Sequence, residues 1–117
     1  MVYVTQEQTG KNILSARKYG EIVVLLPPGY QIGFSAGQVA QELMYKLSKF
    51  TKEDYLLLIG DPALIGIATA VAAHWSNGKV NLLKWDRHGH TYYPVSFNLY
   101  FKKGESISDG KKETFEG

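Results

Sequence analysis

The sequence predicts a single α/β domain, in which a mixed, partly parallel sheet of about four to five strands packs against two helices. Two short and wholly apolar runs, "IVVLL" within 21–26 and "YLLLI" within 55–60, each precede a segment with helical features. Alternation of strands and helices is typical of parallel strands joined by helical crossovers. Two alternating segments, 79–85 and 91–101, predict a C-terminal β-hairpin that completes the sheet.

Two further details of the sheet follow from its residues. The 21–26 run has no polar alternation after its first residue, so this strand is predicted to be buried on both faces. Pro94 has no N–H to donate to a neighbouring strand, so the second hairpin strand is predicted to lie at a sheet edge.

The first helix is predicted at about 36–50 from its hydrophobic spacing. Val39 and Leu43 lie four residues apart, which places them on one helical face. Ser35 precedes the run and Gln38 follows three residues later, a spacing typical of a capping box. In that motif the serine side chain accepts a hydrogen bond from a first-turn N–H.

The stretch "GDPALIG" at 60–66 has two interpretations. Asp61 is a good N-cap, and Pro62 suits the first helical position because its missing N–H would be unpaired there. Alternatively, the free N–H groups of a helix N-terminus attract anions. A phosphate loop has more glycines or a Lys before Ser or Thr, and the Asp61 carboxylate would compete for the same donors. We therefore predict a capped helix at 62–76, with small-ligand or phosphate binding at this turn as the less favoured alternative.

The predicted second helix is apolar on almost every side. Thr69, His74 and Ser76 are the only residues that interrupt its apolar character. A helix that is hydrophobic all round has to be covered on more than one side. Self-association as a homodimer is therefore predicted, with packing inside the domain as the alternative. The small-residue strip that would allow close approach of a second chain consists of Gly66, Ala70 and Ala73.

The hairpin carries the surface most suited to binding. It combines cationic and aromatic side chains, which are typical of protein interfaces and also stack bases and neutralise phosphates. The net charge of +2 is small for a dedicated nucleic-acid binder, so a protein partner is favoured and nucleic acid is the alternative. A third interpretation is that the rings complete the core. The candidate binding residues are Lys84, Trp85, Arg87, His88, His90, Tyr92 and Tyr100.

Motifs for catalysis or metal binding are not apparent. The chain has no cysteine, which excludes disulfides, thiol catalysis and Cys-ligated zinc. It has no G-x-S-x-G motif of a triad hydrolase. His88 and His90 flank a turn glycine with Asp86 nearby, but a third strong ligand at fixed spacing is missing. We predict a protein that is not an enzyme and needs neither a cofactor nor a metal.

Both ends of the chain and its location are predicted from composition. The segment "KNILSARKYGE" at 11–21 is predicted as an outer strand that turns at 19–20. Residues 102–117 are charged and rich in Gly and Ser, which predicts a disordered tail after a domain at 1–101. The longest apolar-rich stretch, 62–75, is too short to span a bilayer, and no signal peptide is visible. We expect a cytoplasmic protein without membrane association.

The segment from 55 to 97 resembles a pattern found in small phage-encoded proteins. Its marks are the Gly-Asp-Pro turn after the apolar strand, the "LLKWDR" run at 82–87 and the "YYPV" run at 92–95. The resemblance implies a viral origin, with host cytoplasm as the location, and it transfers no functional residue. It also favours a small protein that binds a host or viral macromolecule.

Overall fold

Five strands and three helices lie within residues 1–8, 10, 12–29 and 35–100, which the computed structural model describes. In chain order they are β1 (Val2–Gln6), a 3₁₀ helix (Ile13–Tyr19), β2 (Ile22–Leu26), α1 (Ala36–Lys46), β3 (Tyr55–Leu57), α2 (Pro62–Trp75), β4 (Lys79–Asp86) and β5 (Thr91–Asn98). Two predicted segments lie outside the described residues. One is the run "YQIGF" at 30–34, whose apolar positions predict a short strand or a connecting arm, and the other is the predicted tail at 102–117.

The strands form one mixed sheet in the order β2-β1-β3-β4-β5. β1 pairs in parallel with β2 on one side and β3 on the other, and β3 pairs in parallel with β4. β4 and β5 form an antiparallel hairpin. The prediction of an α/β domain with a partly parallel sheet and a C-terminal hairpin is confirmed.

The prediction for the first twenty residues is wrong. Residues 11–21 were expected to form an outer strand, but Ile13–Tyr19 is a 3₁₀ helix. The strand lies earlier, at Val2–Gln6, and all five of its residues are buried. Thr5 and Gln6 are polar, so "VYVTQ" lacks the continuous apolar run by which β2 and β3 are recognised in the sequence. β1 is nevertheless an inner strand, because β2 and β3 both pair with it.

The α-helices cover one side of the sheet, and the 3₁₀ helix covers part of the other. Successive side chains of a strand point to opposite faces. Tyr3 and Leu56 accordingly pack in the core beneath α1 and α2, whereas Val4 and Leu57 pack in the core beneath the 3₁₀ helix. Ala16 of the 3₁₀ helix is completely buried, which explains how so short a helix is held against the sheet.

Several local predictions are corrected in the structure. α1 ends at Lys46 rather than near residue 50. Ser35 precedes α1 but its side chain makes no capping hydrogen bond, so the predicted capping box is wrong. β2 is an edge strand and Val24 is 37% exposed, so it is not buried on both faces. Pro94 does lie in an edge strand, β5, as predicted.

Gly60 occupies a position that no other residue can take without displacement. Its φ is +116°, in a region that L side chains rarely adopt. A Cβ atom added there would lie 2.5 Å from Cβ of Gln6, well inside van der Waals contact. The glycine thus lets the end of β1 approach the turn between β3 and α2.

We expect Gly60→Ala to lower the free energy of unfolding by about 3 kcal/mol or more, because it adds backbone strain to overlap with Gln6. Gly29→Ala is the matched control: Gly29 also has a positive φ of +79°, but no described atom lies within 4 Å of its added Cβ. The control should lose about 1 kcal/mol from backbone strain alone. Urea denaturation measures both values. Equal losses of stability in the two variants would show that overlap with Gln6 does not contribute to the cost of Gly60→Ala.

Candidate functional site

The tip of the hairpin brings three of the predicted aromatic residues together. The ring centroids of Trp85 and Tyr92 are 4.9 Å apart, with an interplanar angle of 67°, and those of Trp85 and His90 are 6.4 Å apart. Trp85 is 37% exposed and Tyr92 only 4%. Trp85 therefore presents a partly open ring, and Tyr92 supports it from the core.

The turn between β4 and β5 carries the exposed cationic groups. Arg87, His88 and His90 are all exposed. The Asp86 carboxylate accepts a hydrogen bond from the His88 backbone N–H at 3.1 Å, which stabilises the turn locally. Among the described residues, no group of three or more His, Cys, Asp or Glu side chains is arranged to hold a metal ion.

Lys84 and Tyr100 are separated from this tip. Lys84 is adjacent to Trp85 in β4, so its side chain points to the opposite face of the sheet. Tyr100 follows β5 at the other end of the hairpin, where its ring lies against Gly78. The seven predicted binding residues therefore do not form one continuous patch, and their binding roles stay predictions.

Tyr92 connects the hairpin to the 3₁₀ helix. Its carbonyl oxygen accepts a hydrogen bond from the Tyr19 hydroxyl at 3.1 Å. Burial raises the pKa of the Tyr92 hydroxyl above its ordinary value, because the ionised form would lose its hydration. The Tyr92 ring thus packs beneath Trp85 at the hairpin tip, and it is too buried to be a main contact for a partner protein.

The outward side of α2 is apolar and exposed. Gly66 and Ala70 are exposed there, but Ala73, the third residue of the predicted strip, is buried. Ala63 and His74 extend the exposed side at helical spacing. The 14 residues of α2 include no Asp, Glu, Lys or Arg. We call Ala63, Gly66 and Ala70 the α2 strip.

Asp61 caps α2. Its Oδ1 accepts a hydrogen bond from the Ala63 N–H at 3.0 Å, and Pro62 begins the helix. The Asp61 N–H donates to Oε1 of Gln6 at 2.9 Å. The negative charge thus occupies the helix N-terminus, where an anion would otherwise find its donors.

A cavity of about 440 Å³ opens beside the hairpin tip. It lies where β1 and β3 end. These neighbouring strands flank the switch point of the sheet, because the chain continues from β1 to β2 on one side and places β3, β4 and β5 on the other side. Open α/β sheets bind ligands in such a crevice at the carboxyl ends of the strands. The cavity is lined by Gln8, Gly10, Asn12, Leu58, Ile59, Gly60, Ile65, Trp85 and Tyr92.

Trp85 and Tyr92 are predicted from the sequence as candidate site residues, whereas Gln8 and Asn12 are not. Both missed residues follow β1, which was not predicted as a strand. Once β1 is known to be parallel to β3, the segment after it belongs to the carboxyl edge of the sheet. The signal that locates these amides is therefore topological rather than a local motif.

Residues 1–99 match the protein family described as phage Pam3 gp32-like protein. The chain belongs to this family. Neither the curated proteins nor the solved structures include a match. Membership makes the chain a phage protein, and the description of the family names no activity. In the part of this family member that the structure describes, no helix is long and apolar enough to cross a membrane.

For this family member we expect Asp61→Ala to lower the free energy of unfolding by about 1 kcal/mol, because the Ala63 N–H loses its capping acceptor. Asp61→Asn keeps an acceptor oxygen and should stay within about 0.5 kcal/mol of the wild type. Thermal or urea denaturation checks both variants. An Asn variant as unstable as the Ala variant would mean that the charge of Asp61, rather than its capping geometry, stabilises the turn.

The raised pKa values of Tyr92 and Tyr3 predict a loss of stability at high pH. Below about pH 10, where the tyrosines of the unfolded chain are protonated, their contribution is complete, and it falls as the pH rises through the higher folded values. Tyr92→Phe should flatten this decline, measured by urea denaturation between about pH 9 and 12. A Tyr92→Phe profile identical to the wild type would contradict the assignment.

Proposed function

We propose that this phage protein is a non-enzymatic binding protein that acts through protein–protein contact and forms a homodimer through the α2 strip. The observation that carries the proposal is an exposed helix side without a single charged side chain. Helices at the surface of a monomer usually present charged or polar residues to water. An apolar strip is therefore expected to be covered by a partner.

A second copy of the chain fits this strip better than an unrelated charged partner. The strip has no charge to complement, and its side chains are small, which allows two helix backbones to approach closely. In a two-fold dimer the same patch is used by both subunits, so a flat and uncharged surface is complementary to itself. Tyr93 and Val95, which are about two-fifths exposed on the helix side of β5, would extend the apolar contact.

The absence of a recognisable catalytic motif in the sequence supports a binding role rather than a reaction. Family membership supports action in an infected host cell, and we propose the host cytoplasm as the compartment. The hairpin tip is the surface that a homodimer through α2 would leave free for a further partner.

We expect the wild type to elute with about twice the 13.1 kDa mass of one chain, as measured by light scattering after size exclusion. Gly66→Glu and Ala70→Glu should give the single-chain mass, because each would bury a charge in the interface. Added side chains at Gly66 meet no described atom within 4 Å, so the subunit itself should fold normally.

Gly37→Glu is the control for these substitutions. Gly37 is exposed on α1, and its added side chain also meets no described atom within 4 Å, so this variant should remain dimeric. The dimer should persist at high salt, since an apolar contact is not screened. A wild type that is monomeric at its highest soluble concentration, or a dimer that both α2 variants leave intact, would overturn the proposal.

A further inference from the structure

The cavity beside the hairpin tip has the size and position of a ligand site. Its volume of about 440 Å³ falls within the range of about 300–1,000 Å³ that is typical of small-molecule pockets. Gln8 after β1, Gly60 of the β3–α2 turn and Trp85 of β4 all line it. Three parallel strands therefore direct their carboxyl ends toward one cavity.

The lining combines an aromatic wall with amide groups. Trp85 presents a ring that is partly open to solvent and is backed by Tyr92. Gln8 and Asn12 supply two carboxamides, and each carboxamide has an N–H donor beside a carbonyl acceptor. The Asn12 side chain makes no capping hydrogen bond to the 3₁₀ helix that it precedes, so its amide is not used by that helix.

The described lining of the cavity is neutral. None of the described residues that line the cavity carries a formal charge. At the N-terminus of α2, which follows the cavity-lining Gly60, the Ala63 N–H is already bonded to the Asp61 carboxylate. The ring and the amide groups of this lining suit a flat ligand group that can both donate and accept hydrogen bonds.

We propose that this cavity binds a single unpaired nucleobase, with adenine as the preferred base. Nucleobases stack on aromatic side chains, and Trp85 is positioned for this contact. Asn and Gln recognise adenine by paired hydrogen bonds to its amino group and a neighbouring ring nitrogen, and Gln8 and Asn12 supply such amides. The base comes either from a free nucleoside or from a single-stranded nucleic acid, whose phosphates would then lie outside the cavity toward Arg87 and His88.

The test is a titration of the full chain with adenosine, followed by two-dimensional NMR of the indole N–H groups. The chain has two tryptophans, and Trp75 lies on the helix side, where its indole N–H donates to the Met44 carbonyl at 3.0 Å. The Trp85 signal should shift and saturate, and the Trp75 signal should stay in place as an internal control. Absence of a saturable shift at Trp85, with adenosine and with a short oligodeoxyadenylate alike, would overturn the proposal.

Variants of the two amides separate base recognition from simple filling of an apolar cavity. Gln8→Ala and Asn12→Ala should each weaken adenosine binding by about three- to tenfold. Both residues are exposed, so neither change should unfold the domain, and Gln41→Ala on the exposed face of α1 is the matched control with wild-type affinity. On the ligand side, N6,N6-dimethyladenosine keeps the ring but loses the amino donors and should bind about tenfold more weakly. Unchanged affinity for both amide variants would contradict the proposal.

The source of the base follows from a comparison of adenosine with the oligodeoxyadenylate. If the oligonucleotide binds at least about tenfold more tightly and weakens steeply with salt, the base belongs to a single strand whose phosphates are contacted. If the two bind alike and salt has no effect, the ligand is a nucleoside. Ala70→Glu should leave base binding intact, so this proposal and the homodimer are tested independently.

Discussion

The hydrogen bonds that tie the end of β1 to the β3–α2 turn are the constraint on which the rest of the structure depends. The Thr5 hydroxyl accepts from the Ile59 N–H at 2.9 Å and lies in contact with the carbonyl oxygens of Leu57 and Ile59. Gln6 accepts from the Asp61 N–H through Oε1 and donates to the Pro27 carbonyl through Nε2 at 3.2 Å. Two side chains at the end of one strand thereby hold the ends of both parallel neighbours.

This arrangement explains why polar residues occupy the centre of the sheet. Thr5 and Gln6 are almost completely buried, and a buried polar group without a partner costs about 1–3 kcal/mol. Their partners are backbone groups at or just beyond the ends of the neighbouring strands, where pairing between strands no longer satisfies every N–H and C=O group. The close approach of Gln6 in turn requires Gly60, whose backbone then lines the cavity. The polar core and the candidate ligand site are therefore consequences of one contact.

The parts of the fold that could be predicted from the sequence are those with strong local signals. The hairpin follows from the alternation around Tyr92 and Val95, and α2 follows from the Asp-Pro start and the long apolar run. β1 could not be recognised, because the hydrogen-bond partners that allow Thr5 and Gln6 to be buried lie between 21 and 55 residues away in the chain. The missed strand concealed the cavity, since Gln8 and Asn12 meet Trp85 only after β1 has taken its place beside β3. Ser35 shows the opposite error, in which a local motif is present but the tertiary structure does not use it.

The position of the cavity is ordinary for an α/β sheet, but its chemistry is not. Domains of this topology commonly bind phosphate at the helix N-terminus that follows a central strand, where free N–H groups attract negative charge. Here Asp61 takes the Ala63 donor and contributes a negative charge of its own. If a base binds here as we propose, it is held by stacking and neutral hydrogen bonds, for which Trp85, Gln8 and Asn12 line the cavity. Under that proposal, a phosphate attached to the base lies outside the cavity, toward Arg87 of the exposed turn. The capping residue that stabilises α2 thus also removes one anion-binding donor from the edge of the sheet where the cavity lies.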